Sequence, residues 1–196
     1  GAALVAHPLV RGVTFTGSAE TGRKVYAGAA PGLKPVVLEL GGKNPMIVFE
    51  DADLDRAAFD AVDGAFGNSG QVCSSSSRIL LHRSIKDKFL ARLAEMAGRL
   101  SIGAGLENCD LGPLVSLEQH AKVLSYLTAG HREGLKPILG GGRPGHIARR
   151  YFVEPTLFAD VPPESRLARE EIFGPVAVAS SFDTQEEALS LANGLG

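Results

Sequence analysis

Cysteine is scarce in this sequence, and the scarcity excludes two classes of protein. Cys73 and Cys109 are its two cysteines, too few for a disulfide framework, and neither stands in a Cys-x-x-Cys or Cys/His cluster with the spacing of zinc ligands. A chain with so few thiols fits a reducing compartment, and a cytoplasmic location is expected. Long hydrophobic runs are missing as well. Arg, Asp, Glu or Gly interrupts every apolar stretch before it reaches the roughly 18 residues of a membrane span. The opening stretch from Gly1 to Pro8 has neither a basic region nor a sustained apolar one, so it does not read as a secretory signal. Charge of either sign is not in excess: 20 basic and 22 acidic residues leave a formal charge of −2. That balance gives no footprint for a phosphate backbone, so neither nucleic acid nor membrane is an expected partner. Low-complexity tracts and internal repeats are absent.

What is present is a chain of 196 residues, 44% of them hydrophobic, enough for one sizeable domain or a domain with part of another. Its 24 glycines fall between short apolar runs and amphipathic runs, the punctuation of alternating strands and helices, and the fold class is therefore α/β. Strands are expected at Val13–Thr16, Pro35–Leu40, Pro45–Phe49, Arg78–His82 and Pro175–Ser180, with a further one over Tyr151–Phe158 broken at Pro155. Ser18 caps a helix to about Ala30, and Asp51 and Asp53 cap one to about Phe66 whose apolar residues recur at helical spacing. The segment Ser84 to Asp87 caps a long helix with Phe89, Leu90, Leu93, Met96, Ala97 and Leu100 on its inner stripe. Ser116 and Gln119 fit a capping box, Gly140 to Gly145 a loop or hairpin tip, and Asp183 to Glu186 the cap of a last helix ending near Asn193.

Two residues could carry covalent chemistry. Cys73 lies in a Gly- and Ser-rich loop between a helix and a strand, where small neighbours leave it reachable, and a thiol attacks carbon only as thiolate. Glu39 ends the run Val36-Val37-Leu38-Glu39-Leu40, and ligands of open α/β sheets gather at carboxyl ends of strands. Partial desolvation there would raise its pKa toward a general base's range. Equally, it reads as a surface carboxylate on an edge strand or one paired to Arg or Lys. Gly17 to Gly22 follows a strand and opens a helix, so its backbone N–H groups could hold a phosphate, although neither the dinucleotide fingerprint nor the Walker pattern is matched. Glu170-Glu171-Ile172-Phe173-Gly174-Pro175 sets acids and an aromatic before a turn and could contact a sugar hydroxyl and a flat ring, or be an ordinary turn with a core Phe. The histidines at 7, 82, 120, 131 and 146 show no ligand spacing, read as surface or structural, and no metal site is expected.

Taken together and in this order, these motifs resemble the aldehyde dehydrogenase superfamily over essentially the whole chain. Phe15-Thr16-Gly17-Ser18 with Gly22 is similar to that family's phosphate-side turn, Leu38 to Lys43 to its glutamate signature, Gly70-Gln71-Val72-Cys73 with Arg78 to its cysteine signature, and Glu171 to Pro175 to its nicotinamide-ribose segment. The resemblance implies an open, mostly parallel sheet flanked by helices, with residues 1–38 ending a Rossmann-like nucleotide-binding domain and 39–196 forming a C-terminally incomplete catalytic domain. It implies an NAD(P)+-dependent oxidation of a small-molecule aldehyde, with Cys73 as nucleophile and Glu39 as the base that activates water. It further implies Gly17, Ser18 and Gly22 at the cofactor phosphates, Glu171 at the ribose, Phe173 at the nicotinamide, and a parent that is a homodimer or homotetramer. Members of that family are some two and a half times longer, and the adenosine-side contacts and the oxyanion-binding Asn lie in parts this chain lacks, so the chain alone is expected to bind cofactor poorly and to turn over slowly or not at all. The run Ser74 to Ser77 departs from the mixed small residues usual after the cysteine. Two other readings remain: a thiol acyltransferase or thioesterase, for which no partner His is evident, and a non-catalytic module of the same fold.

Overall fold

The computed structural model describes residues 1–147 and 151–195. It divides into two compact units, Gly1–Gly42 and the segment from Lys43 onward.

The first unit is a βαβ motif preceded by a short helix, α1 (Ala2–Ala6). Strand β1 (Val13–Gly17) and strand β2 (Val36–Leu40) pair in parallel, with Thr16 opposite Glu39 and Gly17 opposite Leu40. Helix α2 (Ala19–Ala29) makes the crossover. It starts where expected because Ser18 keeps an extended backbone and its hydroxyl accepts from the Thr21 N–H at 3.2 Å, with Glu20 favouring the positive end of the helix dipole. Gly22 is buried one turn later, and a Cβ there would meet Leu40 Cδ2 at 2.8 Å, so α2 lies directly on β2.

The second unit is a five-stranded sheet in the order β3-β4-β7-β6-β5. Its strands are β3 (Pro45–Val48), β4 (Arg78–His82), β5 (Pro137–Leu139), β6 (Thr156–Phe158) and β7 (Val176–Phe182). All neighbours are parallel except β5, which runs antiparallel to β6 at one edge. The helices are α3 (Leu54–Phe66), α4 (Lys86–Ala97), α5 (Leu117–Arg132), α6 (Arg166–Arg169) and α7 (Gln185–Asn193). Alternation along the strands divides the core between two faces. Ile79 and Leu81 of β4, with Ala177 and Ala179 of β7, pack with Phe66 of α3 and Phe89 and Leu93 of α4. Val176 and Val178 face the other way, onto Val123 and Leu127 of α5 and Leu167 of α6, while Leu80 packs with Phe182 and Ala188 of α7. The α/β class with an open, mostly parallel sheet is thus as the sequence predicts.

Several local expectations shift. Asp53 does cap α3, accepting from the Asp55 and Arg56 N–H groups. Ser84 does not cap α4, which begins at Lys86 without a side-chain cap; its hydroxyl is 2.8 Å from His82 Nδ1 instead. The cap of α7 falls one residue late, at Thr184, because Asp183 is held by Arg83 at 2.6 Å. Within 151–158 only Thr156–Phe158 is strand: Pro155 offers no N–H to a ladder. Residues 148–150, before that segment, lie outside the described residues. Among the described residues no helix is long and apolar enough to cross a membrane, and no group of three or more His, Cys, Asp or Glu could hold a metal ion.

Candidate active site

In the first unit the residues singled out from sequence come together at the carboxyl end of the parallel strand pair. Gly17 and Ser18 leave β1 there, and Glu39 stands one residue before the end of β2. The N–H groups of Ala19 and Glu20 have no helical carbonyl upstream of them to bond, so they point out of the amino end of α2. Glu39 is exposed, as a carboxylate on an edge strand would be, rather than partly desolvated: among the described residues its strand pairs with β1 alone.

The second unit is organised the other way round. Asn44 precedes β3, Cys73 precedes β4 and Phe173 precedes β7, so three loops meet at the amino ends of three adjacent parallel strands. Cys73 is exposed and its thiol is free. The loop that carries it is rigidly tied. Asn68, Ser69 and Gly70 are all left-handed, with φ of 50°, 55° and 69°. A Cβ on Gly70 would lie 2.1 Å from the Gly174 carbonyl oxygen, so the cysteine loop touches the Phe173–Pro175 turn where only glycine fits. Ser69 Oγ donates to the Gly112 carbonyl at 2.7 Å, and Gln71 Oε1 accepts from the Val115 N–H at 2.9 Å.

Beyond the thiol, the Val72 carbonyl accepts from the Ser75 N–H at 3.0 Å and the Gly64 carbonyl from the Ser76 N–H at 2.8 Å. Asn44 Nδ2 donates to the carbonyls of Cys73 at 2.8 Å and Ser75 at 3.3 Å. A trans peptide points its C=O and N–H in opposite directions. With the Val72 oxygen turned into the bend, the Cys73 N–H is aimed away from it.

Phe173 is also left-handed, at φ 57°, and Gln119 Nε2 holds it by donating to the carbonyls of Ile172 at 3.0 Å and Phe173 at 2.7 Å. Gln119 therefore does not close the expected capping box, although the Ser116 half is made, with Ser116 Oγ accepting from the Gln119 N–H at 3.1 Å. The two adjacent acids separate in role. Glu170 accepts from Tyr126 Oη at 2.8 Å and from Arg166 Nε at 2.9 Å. Glu171 instead acts on the Lys43 amine, whose pKa is pushed down to about 7 by burial foremost and then by the Arg78 guanidinium, against the pull of Glu171. Arg78, itself buried, donates to the carbonyls of Lys43, Leu191 and Ala192 at 3.2, 2.8 and 2.8 Å.

The sequence assigned no role to Asn44, gave Gln119 only a place in a capping box, and gave no sign that Gly174 meets Gly70. Asn44 directly follows the glutamate signature, yet a short polar residue before a strand carries no sign of a partner some thirty residues away.

Residues 1–195 match the family model described as the aldehyde dehydrogenase family. The chain belongs to that family. Among curated aldehyde dehydrogenases it is 47% identical over 194 residues to the peroxisomal aminoaldehyde dehydrogenase 2 of Pisum sativum, and 45% identical to the chloroplastic betaine aldehyde dehydrogenase of Beta vulgaris. Each comparison covers 98% of this chain and 39% of the relative, so the chain spans about two fifths of the length of those aldehyde dehydrogenases. Among solved structures, the aldehyde dehydrogenase of Bacillus cereus in its NAD+ complex superimposes with a TM-score of 0.95 at 42% identity, covering 100% of this chain and 40% of that one. The betaine aldehyde dehydrogenase of Staphylococcus aureus, also in complex with NAD+, gives 0.94 at 39% identity, covering 98% and 39%.

Proposed function

We propose that the whole protein oxidises an aldehyde to a carboxylic acid, with Cys73 as nucleophile, Glu39 as general base and NAD+ as oxidant. The observation that carries this reading is the exposed thiol of Cys73 on a loop fixed by its own backbone, with the adjacent N–H turned outward, in a chain of the aldehyde dehydrogenase family. The Cys73 thiolate adds to the aldehyde carbon, and the Cys73 N–H is one donor for the oxyanion that forms; such donors are worth roughly 3–4 kcal/mol each. When bound, NAD+ supplies the hydride acceptor that turns the thiohemiacetal into a thioester. Glu39 then takes a proton from water, the hydroxide attacks the thioester carbon, and the acid leaves as Cys73 thiolate is regenerated. The balance is aldehyde, NAD+ and water to acid, NADH and protons.

The residues fit the cofactor: the outward N–H groups at the start of α2 suit a pyrophosphate, with Gly17 and Ser18 beside them, whereas Gly22, expected there too, is buried against Leu40 and serves by letting α2 lie on its strand. Glu171 is held near a cation yet partly exposed, which suits a ribose hydroxyl, and Phe173 beside it suits the nicotinamide ring. The names of the relatives make aldehydes carrying an amino or trimethylammonium group the first substrates to assay.

In the whole protein, Cys73→Ala should form no NADH at 340 nm. Glu39→Gln should release about one equivalent of NADH per site in a burst and then turn over roughly 100-fold more slowly. Full steady-state turnover by either variant would overturn the reading, and acyl transfer without NADH would turn it into a thioesterase. The 196-residue chain alone should show no micromolar NAD+ binding by calorimetry.

A further inference from the structure

We infer that Asn44 is a positioning residue for Cys73, its side-chain amide locking the peptide plane that follows the thiol. The direction of a Cα–Cβ bond is set by the two peptide planes that meet at that Cα. At Cys73 the preceding plane is fixed by the turn, through the Val72 carbonyl and the Ser75 N–H. The following plane is fixed by Asn44, which reaches across from the start of β3 to the Cys73 carbonyl at 2.8 Å. Its second amide hydrogen serves the Ser75 carbonyl at 3.3 Å, so one NH2 group grips both ends of the bend. Both partners are carbonyl oxygens, which forces the amide orientation: only the NH2 end of Asn44 can face them.

The consequence is a thiol whose Cβ and backbone N–H have one mutual orientation before any substrate arrives. Attack by sulfur and stabilisation of the resulting oxyanion by the same residue need that relation held to within a fraction of an ångström. Remove the NH2 donor and the 73–74 peptide is free to rotate, while the thiol, its exposure and the turn at Val72 all survive. An isosteric carboxylate at position 44 would be worse than a deletion, since it would set an anion against two carbonyl oxygens.

This rests on Cys73 being the nucleophile, and the test separates the two claims. In the whole protein, Asn44→Asp and Asn44→Ala should lower kcat/KM for the aldehyde roughly 10- to 100-fold, leave KM for NAD+ within about twofold, and leave the melting temperature nearly unchanged. Asn44→Gln, which keeps both donor hydrogens on a longer stem, should recover most of the loss. Should Asp and Ala variants fail to fold, Asn44→Ser, with a single donor, should show the same selective loss in kcat/KM. Wild-type kcat/KM in Asn44→Asp or Asn44→Ser, alongside an inactive Cys73→Ala, would overturn the positioning role and leave the nucleophile standing. A loss shared equally by KM for NAD+, or not recovered by Gln, would also overturn it, as general loosening of the unit. NADH formation by Cys73→Ala would instead bring down the functional reading itself.

Discussion

Replacing Gly70 by alanine perturbs the cysteine loop through one added carbon, and the outcome can be worked from the backbone. The residue sits at φ 69°, where an L side chain costs about 1–2 kcal/mol. The new Cβ would lie 2.1 Å from the Gly174 carbonyl oxygen, 2.4 Å from its carbon and 2.9 Å from Pro175 N. All three are main-chain atoms and cannot swing aside. Contacts below 3.0 Å are essentially never made by a Cβ, so the two segments must part by about 0.9 Å. Overpacking of that kind adds roughly 1–3 kcal/mol, for a total of about 2–5 kcal/mol. At roughly 2–4 °C per kcal/mol for a chain of this length, the melting temperature should fall by at least about 4 °C. Because Cys73 is three residues further along the same loop, a shift near an ångström should also cost on the order of 100-fold in aldehyde turnover by the whole protein. Circular dichroism melts and steady-state NADH formation read the two effects. An alanine variant that melts with the wild type and turns over at its rate would refute the claimed contact.

Two further expectations follow from buried charge. Arg78→Met removes donors from the carbonyls of Lys43, Leu191 and Ala192 at once; hydrogen exchange in α7 should accelerate strongly, and the chain should lose about 3 kcal/mol in urea unfolding. Lys43 is depressed to about 7 in the folded chain, so between that pH and its ordinary value near 10.5 the unfolded chain binds the extra proton, and its burial penalty fades as pH rises. Lys43→Met should therefore stabilise the chain most below about pH 7, with the advantage shrinking by up to roughly 1.4 kcal/mol per pH unit above it. A difference in unfolding free energy that does not change between about pH 6.5 and 9.5 would refute this.

Much of the fold was legible because it rests on local chemistry. Ser18, Asp53 and Ser116 cap helices with their own hydroxyl or carboxylate, within three residues of sequence. Where the sequence misled, a distant partner had taken the side chain: Asp183 is held by Arg83, and Gln119 by the carbonyls of Ile172 and Phe173. Strand β5 went unseen because three residues starting with proline carry no period. The position of Cys73 between a helix and a strand could be read from its small neighbours. That its loop would meet those before β3 and β7 could not, since strand order is set by packing across the sheet. Of the two readings open for Glu39, a partly desolvated base or a surface carboxylate on an edge strand, the second matches its exposure, and the sequence could not choose because it does not state how many strands flank β2.

The bend after the thiol is held by main-chain groups and by the amide of Asn44, which comes from outside it. The N–H of Ser75 and of Ser76 and the carbonyl of Ser77, which accepts from Val178 N–H, are all engaged, whereas Ser75 Oγ, though buried, finds no partner among the described residues. Side chains from 74 to 77 are thus spared the task of shaping the bend. Drift at the exposed Ser74 can therefore proceed without moving the sulfur, whereas Ser75, which is buried, and Ser76, which packs close to Gly64, tolerate little growth.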